Sequence, residues 1–286
     1  ASEKVKTGLC IVMKRMDTGS IWPITNNPMA RYWEPRLIKG SNRQRKGNRD
    51  YKLWELIRSS TAAPRYFSSK KVEIFEGLDD GEGHGQFIDG AVSPHNCPAL
   101  QMFMMAGIKG YNLGGGELTP DGGGKSWNLG ADQLLLVSVG TGTFASMSKA
   151  GYSAAYDAIV SLQGIIADGT DLGITLLQWL GQSEHPWVID REVRSLASDA
   201  LNLDGKPLDP LLSFHRYDMK LELDRLNPDR SLSLQEAEFL SLQDFMQPAN
   251  IPRLYHLAKT SAGEHVKAGH FPAAFDLKPQ AVAAGV

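Results

Sequence analysis

The chain has 286 residues, of which 42% are hydrophobic, and its formal net charge is −2. This length is enough to bury a large core, and the near-neutral charge gives no reason to expect a nucleic-acid partner or strong attraction to an anionic membrane. The two cysteines are too few for a disulfide framework and fit a reducing compartment, so a cytoplasmic location is favoured. The longest apolar runs are too short to span a bilayer.

The first half of the chain alternates predicted strands and helices. Residues 7–16 and 21–26 predict a β-hairpin around the turn at 17–20. The run at 39–49 is a polar, basic loop, and the apolar spacing at 51–63 predicts a helix that Pro64 stops. The segments "VEIFEG" and "GQFID" predict a pair of strands, and "NCPALQMFMMAGI" predicts a helix with Asn96 as its N-cap.

The second half contains one predicted buried strand and mainly helices. The run "DQLLLVSVGTGT" has the continuous apolar character of a strand buried on both faces of a parallel sheet. Helical spacing follows at 151–182, a strand at 211–223 and a helix from 251 with Pro252 at its start. A capping box from Ser233 to Glu236 opens a further predicted helix. No repeat or linker divides the chain, so we expect one α/β domain over residues 1–286, mostly helical beyond residue 150.

Asp89 is the leading candidate for a catalytic residue. It follows "QFI" at the end of a predicted strand, the edge where α/β sheets bind ligands. Gly90 and Ala91 are small enough for a backbone or a substrate to approach closely. The simpler alternative is an aspartate whose side chain closes a turn, because Asp-Gly pairs also occur at 80, 121, 168 and 204.

Several segments, in order, resemble the patatin-like phospholipases. "FIDGAVSPHNCPALQ" is similar to the family's Asp-Gly-Ala/Gly segment, and "TGLCIVMKRMDTGSIWPITNNP" looks like the hairpin that precedes it in bacterial members. "IRSSTAAPRYF", "LLLVSVGTG" and "FHRYDMKLEL" resemble a helix end, a strand with its Gly-rich turn, and a later strand. The resemblance extends from the first residues to the "HF" region near the C-terminus, and the joint order of the motifs is its most specific feature.

The resemblance implies a fold and a reaction. The fold would be a patatin-like three-layer sandwich with a mixed, mainly parallel sheet, incomplete at its N-terminus. The reaction would be hydrolysis of acyl esters in phospholipids or related lipids by a Ser-Asp dyad, with no metal or organic cofactor. Asp89 would accept the serine proton as the general base, and Gly90 and Ala91 would complete its motif. A positioned base is needed because a serine hydroxyl is a poor nucleophile by itself.

The chain departs from the family pattern in its nucleophile. The family places its oxyanion loop and its Gly-x-Ser-x-Gly elbow before the Asp segment, and residues 1–88 contain neither. Because the chain also begins without Met, we expect a missing N-terminal segment that carries the serine. No nucleophile is assigned within this chain.

Two segments imitate the absent motifs. "GYSAA" places Ser153 at the nucleophile position, but Ala155 replaces the last glycine and no strand precedes the segment, so a helix start is the better interpretation. "DGGGKS" at 121–126 resembles an oxyanion loop or half of a P-loop. It lies after the Asp segment and before a strand, which favours a surface loop.

The remaining candidates have simpler structural interpretations. His84, His95 and Cys97 are a poor zinc signature, so no metal site is predicted. The basic loop at 39–49 could hold phospholipid head groups, although a solvated loop is favoured. "GTGT" at 140–143 could hold an anion, but a sharp turn is favoured. A helical stripe could touch lipid, but a core-facing role is favoured; it comprises Leu172, Leu176, Leu177, Trp179 and Leu180.

The expected partners are therefore a lipid or acyl-ester substrate, with peripheral contact to a membrane surface possible. Two alternatives remain open. The chain could be a non-catalytic binding or scaffold protein on a patatin core, or one half of a split enzyme whose serine comes from a second chain.

Overall fold

The computed structural model describes most of the chain. The described residues are 5, 7–64, 66–108, 128–144, 154–189, 192, 201, 204–221, 241–242, 244 and 247–276. They form two compact units: unit 1 comprises 1–129 and 158–177, and unit 2 comprises 130–157 and 178–286. The assignment of residues 1–286 to a single patatin-like domain stays a prediction.

The elements alternate between strands and helices, which confirms the mixed α/β class. In unit 1 they are β1 Cys10–Arg15, β2 Ile21–Thr25, β3 Arg36–Leu37, β4 Gln44–Arg45, α1 Leu53–Ser60, β5 Lys70–Glu73, α2 Asp80–Gly83, β6 His84–Asp89 and α3 Ala99–Gly107. Those that follow are β7 Leu135–Val139, β8 Thr143–Phe144, α4 Ala154–Leu180, β9 Ser213–Tyr217, β10 Lys220–Leu221 and α5 Asn250–His265. Helix α4 contributes to both units, because residues 158–177 belong to unit 1.

The main sheet of unit 1 has four strands in the order β2-β1-β6-β5. All three pairings are antiparallel, so the predicted hairpin and the predicted β5–β6 pair are confirmed. The expectation of a mainly parallel sheet is wrong for this sheet. The two outer pairs, β1–β2 and β5–β6, join strands that are consecutive in the chain through short connections, which favour antiparallel pairing. The central pair, β1–β6, joins strands that are far apart in the sequence.

The core of unit 1 lies between this sheet and α1. Its buried side chains are Met13, Ile24, Leu56, Val72, Ile74 and Phe87. Trp22 packs edge-on against Phe87, with ring centroids 5.0 Å apart. These residues come from both the hairpin and the β5–β6 pair, so apolar burial ties the two predicted strand pairs into one sheet.

Parallel pairing occurs in unit 2, where β7 pairs with β9 and β8 pairs with β10. The parallel part of the β7 prediction is therefore confirmed, but its burial on both faces is not. Val139 is 74% exposed and Val137 is 40% exposed, whereas Ser138 is buried. The described residues thus cover one face of β7, which a continuous apolar run does not reveal.

Two other local predictions differ from the structure. Asn96 does not cap α3, because it lies in a 3-10 turn at Pro94–Asn96 and Pro98 occupies the N-cap position. The basic segment at 39–49 contains β4, which pairs with β3, so it is part of a short hairpin. The capping box at 233–236, the "DGGGKS" segment at 121–126 and Ser153 lie outside the described residues.

The helical predictions at 151–182 and from 251 are confirmed. Helix α4 covers the predicted helical run, with Ile174 and Leu177 buried and Leu172 and Trp179 exposed. Helix α5 includes Pro252 in its first turn, where a missing N–H costs no hydrogen bond. Within the described part of the chain, no helix has both the length and the apolar character that crossing a membrane requires.

Candidate active site around Asp89

Asp89 is the last residue of β6, as its sequence predicted. It pairs with Met13 of β1, and its N–H donates to the carbonyl oxygen of Ala62 at 3.1 Å. Ala62 is fully buried and comes directly after α1. The "SSTAA" segment and the Asp-Gly-Ala segment carry separate parts of the family resemblance in the sequence. In the structure, this backbone hydrogen bond joins them.

The carboxylate of Asp89 closes the turn that follows the strand. Its Oδ1 accepts the N–H of Ala91 at 2.8 Å, and its backbone carbonyl accepts the N–H of Val92 at 3.2 Å. This is the turn-closing role that the simpler alternative predicted. Among the described residues, the Asp89 side chain makes no ion pair, and its second carboxylate oxygen accepts no hydrogen bond.

The environment favours the neutral form of this carboxyl group. Asp89 is partly buried, and the loss of solvation raises its pKa above the ordinary value of an aspartate. The Ala91 N–H acts in the opposite direction, because it stabilises the ionised form. A carboxylate with a raised pKa and an unused oxygen can accept a proton from a nearby hydroxyl.

Gly90 is required by the backbone of β1. A Cβ atom at this position would lie 2.8 Å from the carbonyl carbon of Val12 and closer still to its oxygen. That same oxygen accepts a hydrogen bond from Ser60 Oγ at 2.7 Å. The small residue thus lets the turn pass directly over β1, which confirms the close backbone approach expected from its sequence.

The turn after Asp89 is held by Ser93, Pro94 and Gly169, which were not predicted as site residues. Ser93 Oγ donates to the carbonyl oxygen of Gly90 at 2.6 Å and accepts the N–H of His95 at 3.2 Å. A Cβ on Gly169 of α4 would lie 2.9 Å from Pro94 Cβ, so the turn also packs closely on that helix. The Ser-Pro pair at 93–94 was the available signal, since serine before a helical turn is a preferred N-cap.

The other polar candidates near Asp89 do not form a metal centre. His84 begins β6, five residues before Asp89, which places them about 17 Å apart along the strand. Cys97 is buried, and burial lowers the pKa of His95. No group of three or more His, Cys, Asp or Glu side chains in the described part of the chain is arranged to hold a metal ion.

The "GTGT" turn in unit 2 does surround an anion, but the anion is the side chain of Asp218. Gly142 N–H and Thr143 Oγ1 donate to this carboxylate at 2.9 and 3.2 Å, and Arg216 pairs with it at 2.5 Å. A Cβ on Gly140 would overlap the same carboxylate. The turn therefore holds an internal carboxylate, and the alternative of a sharp structural turn explains its glycines.

The basic segment at 39–49 is largely neutralised by its own unit. Three of its cations form ion pairs: Arg43 with Glu82 at 3.0 Å, Lys46 with Glu73 at 2.5 Å and Arg49 with Glu34 at 2.6 Å. The Arg45 guanidinium lies over the rings of Tyr32 and Trp22, 4.2 and 4.7 Å from their centroids. These contacts give the basic residues structural partners within unit 1.

Comparison with known proteins adds no assignment. A scan against models of protein families gives no match, and no curated protein matches the chain. The resemblance to the patatin-like phospholipases therefore rests on the order of the motifs described above.

Proposed function

We propose that this chain supplies the general base of an acyl-ester hydrolase with a Ser-Asp dyad, on a patatin-like three-layer sandwich. The base is Asp89, and the substrate class is the acyl ester of a phospholipid or a related lipid. The observation that supports this most is the state of the Asp89 carboxyl group. It is partly buried at a strand end and has one oxygen that no described residue engages.

The reaction assigns one proton to Asp89. A serine Oγ attacks the ester carbonyl while Asp89 takes the hydroxyl proton, and the proton then passes to the departing alcohol. Water hydrolyses the acyl-serine in the second half of the cycle: Asp89 accepts a proton from that water and passes it to the departing serine Oγ, which restores the free serine and releases the carboxylic acid. The serine itself is not assigned to any residue of this chain, and residues 1–88 contain no Gly-x-Ser-x-Gly elbow.

A second function is favoured by the hydrogen bond between Asp89 Oδ1 and the Ala91 N–H at 2.8 Å. This bond gives Asp89 a structural role that does not depend on catalysis. It fits a non-catalytic binding or scaffold protein, and it fits equally well one half of a split enzyme. The two functions differ in the effect of removing the charge while keeping the hydrogen bond.

The test compares ester hydrolysis by the protein that contains residues 1–286 with that of its Asp89→Asn variant. Asparagine keeps an oxygen for the Ala91 N–H but cannot act as the base. We expect a loss of about 10²- to 10⁴-fold in kcat, the usual contribution of general base catalysis. The matched control is Asp204→Asn, because Asp204 also precedes a glycine and is exposed. Equal activity of wild type and Asp89→Asn would favour the non-catalytic function.

A further inference from the structure

A cavity of about 340 Å³ lies in unit 1, away from the turn of Asp89. It is bounded by the β1–β2 hairpin on one side and by the first half of α1 on the other. The apolar side chains that line it include Leu9, Ile11, Ile24, Trp33, Leu53 and Leu56. Ligand pockets typically have volumes of about 300–1,000 Å³ and predominantly apolar linings, so this cavity has the size and character of a site for a small apolar molecule.

The two charged residues that line the cavity are both basic, and Asp50 and Glu34 lie beside Arg49. Arg49 and Lys52 line it, both are exposed, and no acidic residue is part of the lining. Arg49 already pairs with Glu34 at 2.6 Å. Lys52 forms no ion pair with any carboxylate in the described part of the chain. An anionic group on the ligand would therefore meet a cation whose charge is not yet compensated.

Asn48 supplies a second, independent indication of a polar ligand group. It is only 8% exposed, it lines the cavity, and its backbone N–H donates to the carbonyl of Tyr32 at 2.7 Å. Its carboxamide has no hydrogen-bond partner among the described residues. Its amide atoms are not among the fully buried side-chain atoms, so they remain accessible from the cavity. An amide N–H that reaches the cavity can donate to an anionic ligand group there in place of water.

The cavity and Asp89 lie at opposite ends of α1. The cavity is lined by Leu53 and Leu56, in the first half of the helix, whereas Asp89 bonds to Ala62, which comes after its end. Nine residues separate Leu53 from Ala62, or about 13 Å along a helix axis. None of Met13, Ala62 and Ala91, which contact Asp89, lines the cavity.

We propose that this cavity binds a small apolar monoanion, with its apolar body between the hairpin and α1 and its charged end held by Asn48 and Lys52. A medium-chain carboxylate is the simplest molecule of this class. Asn48 Nδ2 donates to the anion, Lys52 adds a charge-assisted contact, and the aliphatic lining removes the rest of the ligand from water. The proposal does not depend on catalysis at Asp89.

The experiment is calorimetric titration of the protein that contains residues 1–286 with decanoate and, separately, with decanol and decylammonium, each below its aggregation concentration. The three ligands share an apolar chain and differ in the charge of their heads. We expect saturable, one-to-one binding of decanoate, binding at least tenfold weaker for decanol, and none for decylammonium. Equal binding of decanoate and decanol, or no saturable binding of decanoate, would overturn the proposal.

Two substitutions locate the site. Asn48→Leu keeps the size of the side chain and removes its hydrogen bonds, so decanoate affinity should fall about tenfold while the unliganded protein keeps its melting temperature. Lys52→Gln should weaken decanoate about two- to fivefold and reduce the salt dependence of binding. The matched control Lys39→Gln lies outside the lining and should leave the affinity unchanged. Unchanged affinity in both Asn48→Leu and Lys52→Gln would contradict the proposed position of the anion.

Discussion

Asp89 has one role that the structure shows, closing a turn, and one that we propose, acting as a base, and the two have different chemical requirements. As a turn residue it needs only an acceptor for the Ala91 N–H, which an amide oxygen provides as well as a carboxylate. As a base it needs a charge that partial burial makes costly, and its raised pKa is the sign of that cost. Replacing a partly desolvated charge by a neutral side chain of the same shape is therefore expected to raise stability.

The first prediction concerns that stability. Asp89→Asn should raise the urea midpoint of unfolding at pH 7, because the substitution removes a charge that folding desolvates and keeps the hydrogen bond. The difference in urea midpoint between the wild type and Asp89→Asn should vanish as the pH falls below about 3.9, because the wild-type carboxyl is then protonated in both the folded and the unfolded chain. Asp89→Ala should instead lower stability by about 0.5–1.5 kcal/mol, because the Ala91 N–H loses its acceptor. Lower stability of Asp89→Asn at pH 7 would show that the charge itself stabilises the turn.

Gly90 provides a second prediction for a single residue. A Cβ here would meet the Val12 carbonyl group, which belongs to β1 and cannot move away freely. We expect Gly90→Ala to lower the free energy of unfolding by about 1–3 kcal/mol, the usual range for overpacking. Gly164→Ala is the control, because a Cβ at that position in α4 meets no atom within 4 Å. It should raise stability by about 0.5–1 kcal/mol, and equal effects of the two substitutions would refute the close contact.

The sequence predicted where Asp89 lies along its strand, but it did not predict which residues the site contacts. A strand ending in Asp-Gly-Ala was enough to place Asp89 at the end of its strand and to expect a close approach at Gly90. The contacts of Asp89 with Ala62, of Gly90 with Val12 and of Pro94 with Gly169 join residues 27 to 78 positions apart, and local patterns carry no information on them. The internal partner of "GTGT" was missed for the same reason, since Asp218 lies more than 70 residues later.

For whole elements, the spacing of apolar residues predicted strands and helices correctly. The sequence did not predict which residue caps a helix or how many faces of a strand are buried. The β1–β2 hairpin followed from a turn flanked by apolar residues, and α4 followed from its helical spacing. Asn96 was expected to cap α3 on residue type alone, but Pro94 starts a 3-10 turn that delays the helix until Ala99. The exposed face of β7 shows that an apolar run cannot by itself say how many faces a strand buries.

The connection between β9 and β10 carries a third prediction. Asp218 is 4% exposed in its side chain and pairs with Arg216, which is 10% exposed. Asp218→Ala would leave this guanidinium buried without its carboxylate and remove an acceptor from the Gly142 N–H. We expect a loss of about 3–5 kcal/mol, measured by urea unfolding with a fluorescence signal.

The control for this prediction is the ion pair between Arg15 and Asp17, whose carboxylate side chain is 40% exposed. Asp17→Ala should cost less than about 1 kcal/mol, because water screens this pair. A loss at Asp218 no larger than that at Asp17 would mean that the β9–β10 connection does not depend on its internal anion.

At the scale of the whole molecule, a histidine cluster makes stability depend on pH. His185 and His270 stack with their ring centroids 4.6 Å apart, and Tyr217 Oη and His270 Nδ1 are hydrogen-bonded at 3.0 Å. His215 lies nearby and is 1% exposed. Desolvation, with the neighbouring histidines, lowers the pKa of His215, and Glu184 acts in the opposite direction.

The pKa of His270 is also lowered, by desolvation and by the charges of His185 and Lys267. Because the folded pKa values lie below that of an unfolded histidine, about 6.5, the unfolded chain binds more protons as the solution is acidified. The contribution of these histidines to the free energy of unfolding is therefore largest above pH 6.5. It decreases as the pH falls through 6.5 towards the pKa values of the folded protein. We expect the melting temperature to decrease from pH 7.5 to pH 5.5.

A substitution assigns this slope to the cluster. His215→Leu removes the most buried of the three imidazoles and should flatten the decrease in melting temperature. His256→Gln, at an exposed position of α5, should leave the decrease unchanged. If both variants kept the wild-type slope, the pH dependence would have to arise from other titratable groups.

The central claim concerns Asp89 as a base, and the pH dependence of ester hydrolysis tests it most directly. The measurement is kcat/KM from pH 3 to 9 for the protein that contains this chain and for its Asp89→Asn variant. The account predicts an acidic limb whose midpoint lies above the ordinary aspartate pKa, and in Asp89→Asn a loss of that limb together with at least a hundredfold lower rate near neutral pH. An acidic limb that persists in Asp89→Asn at comparable activity would contradict it, and Asp89 would then be a residue that closes a turn.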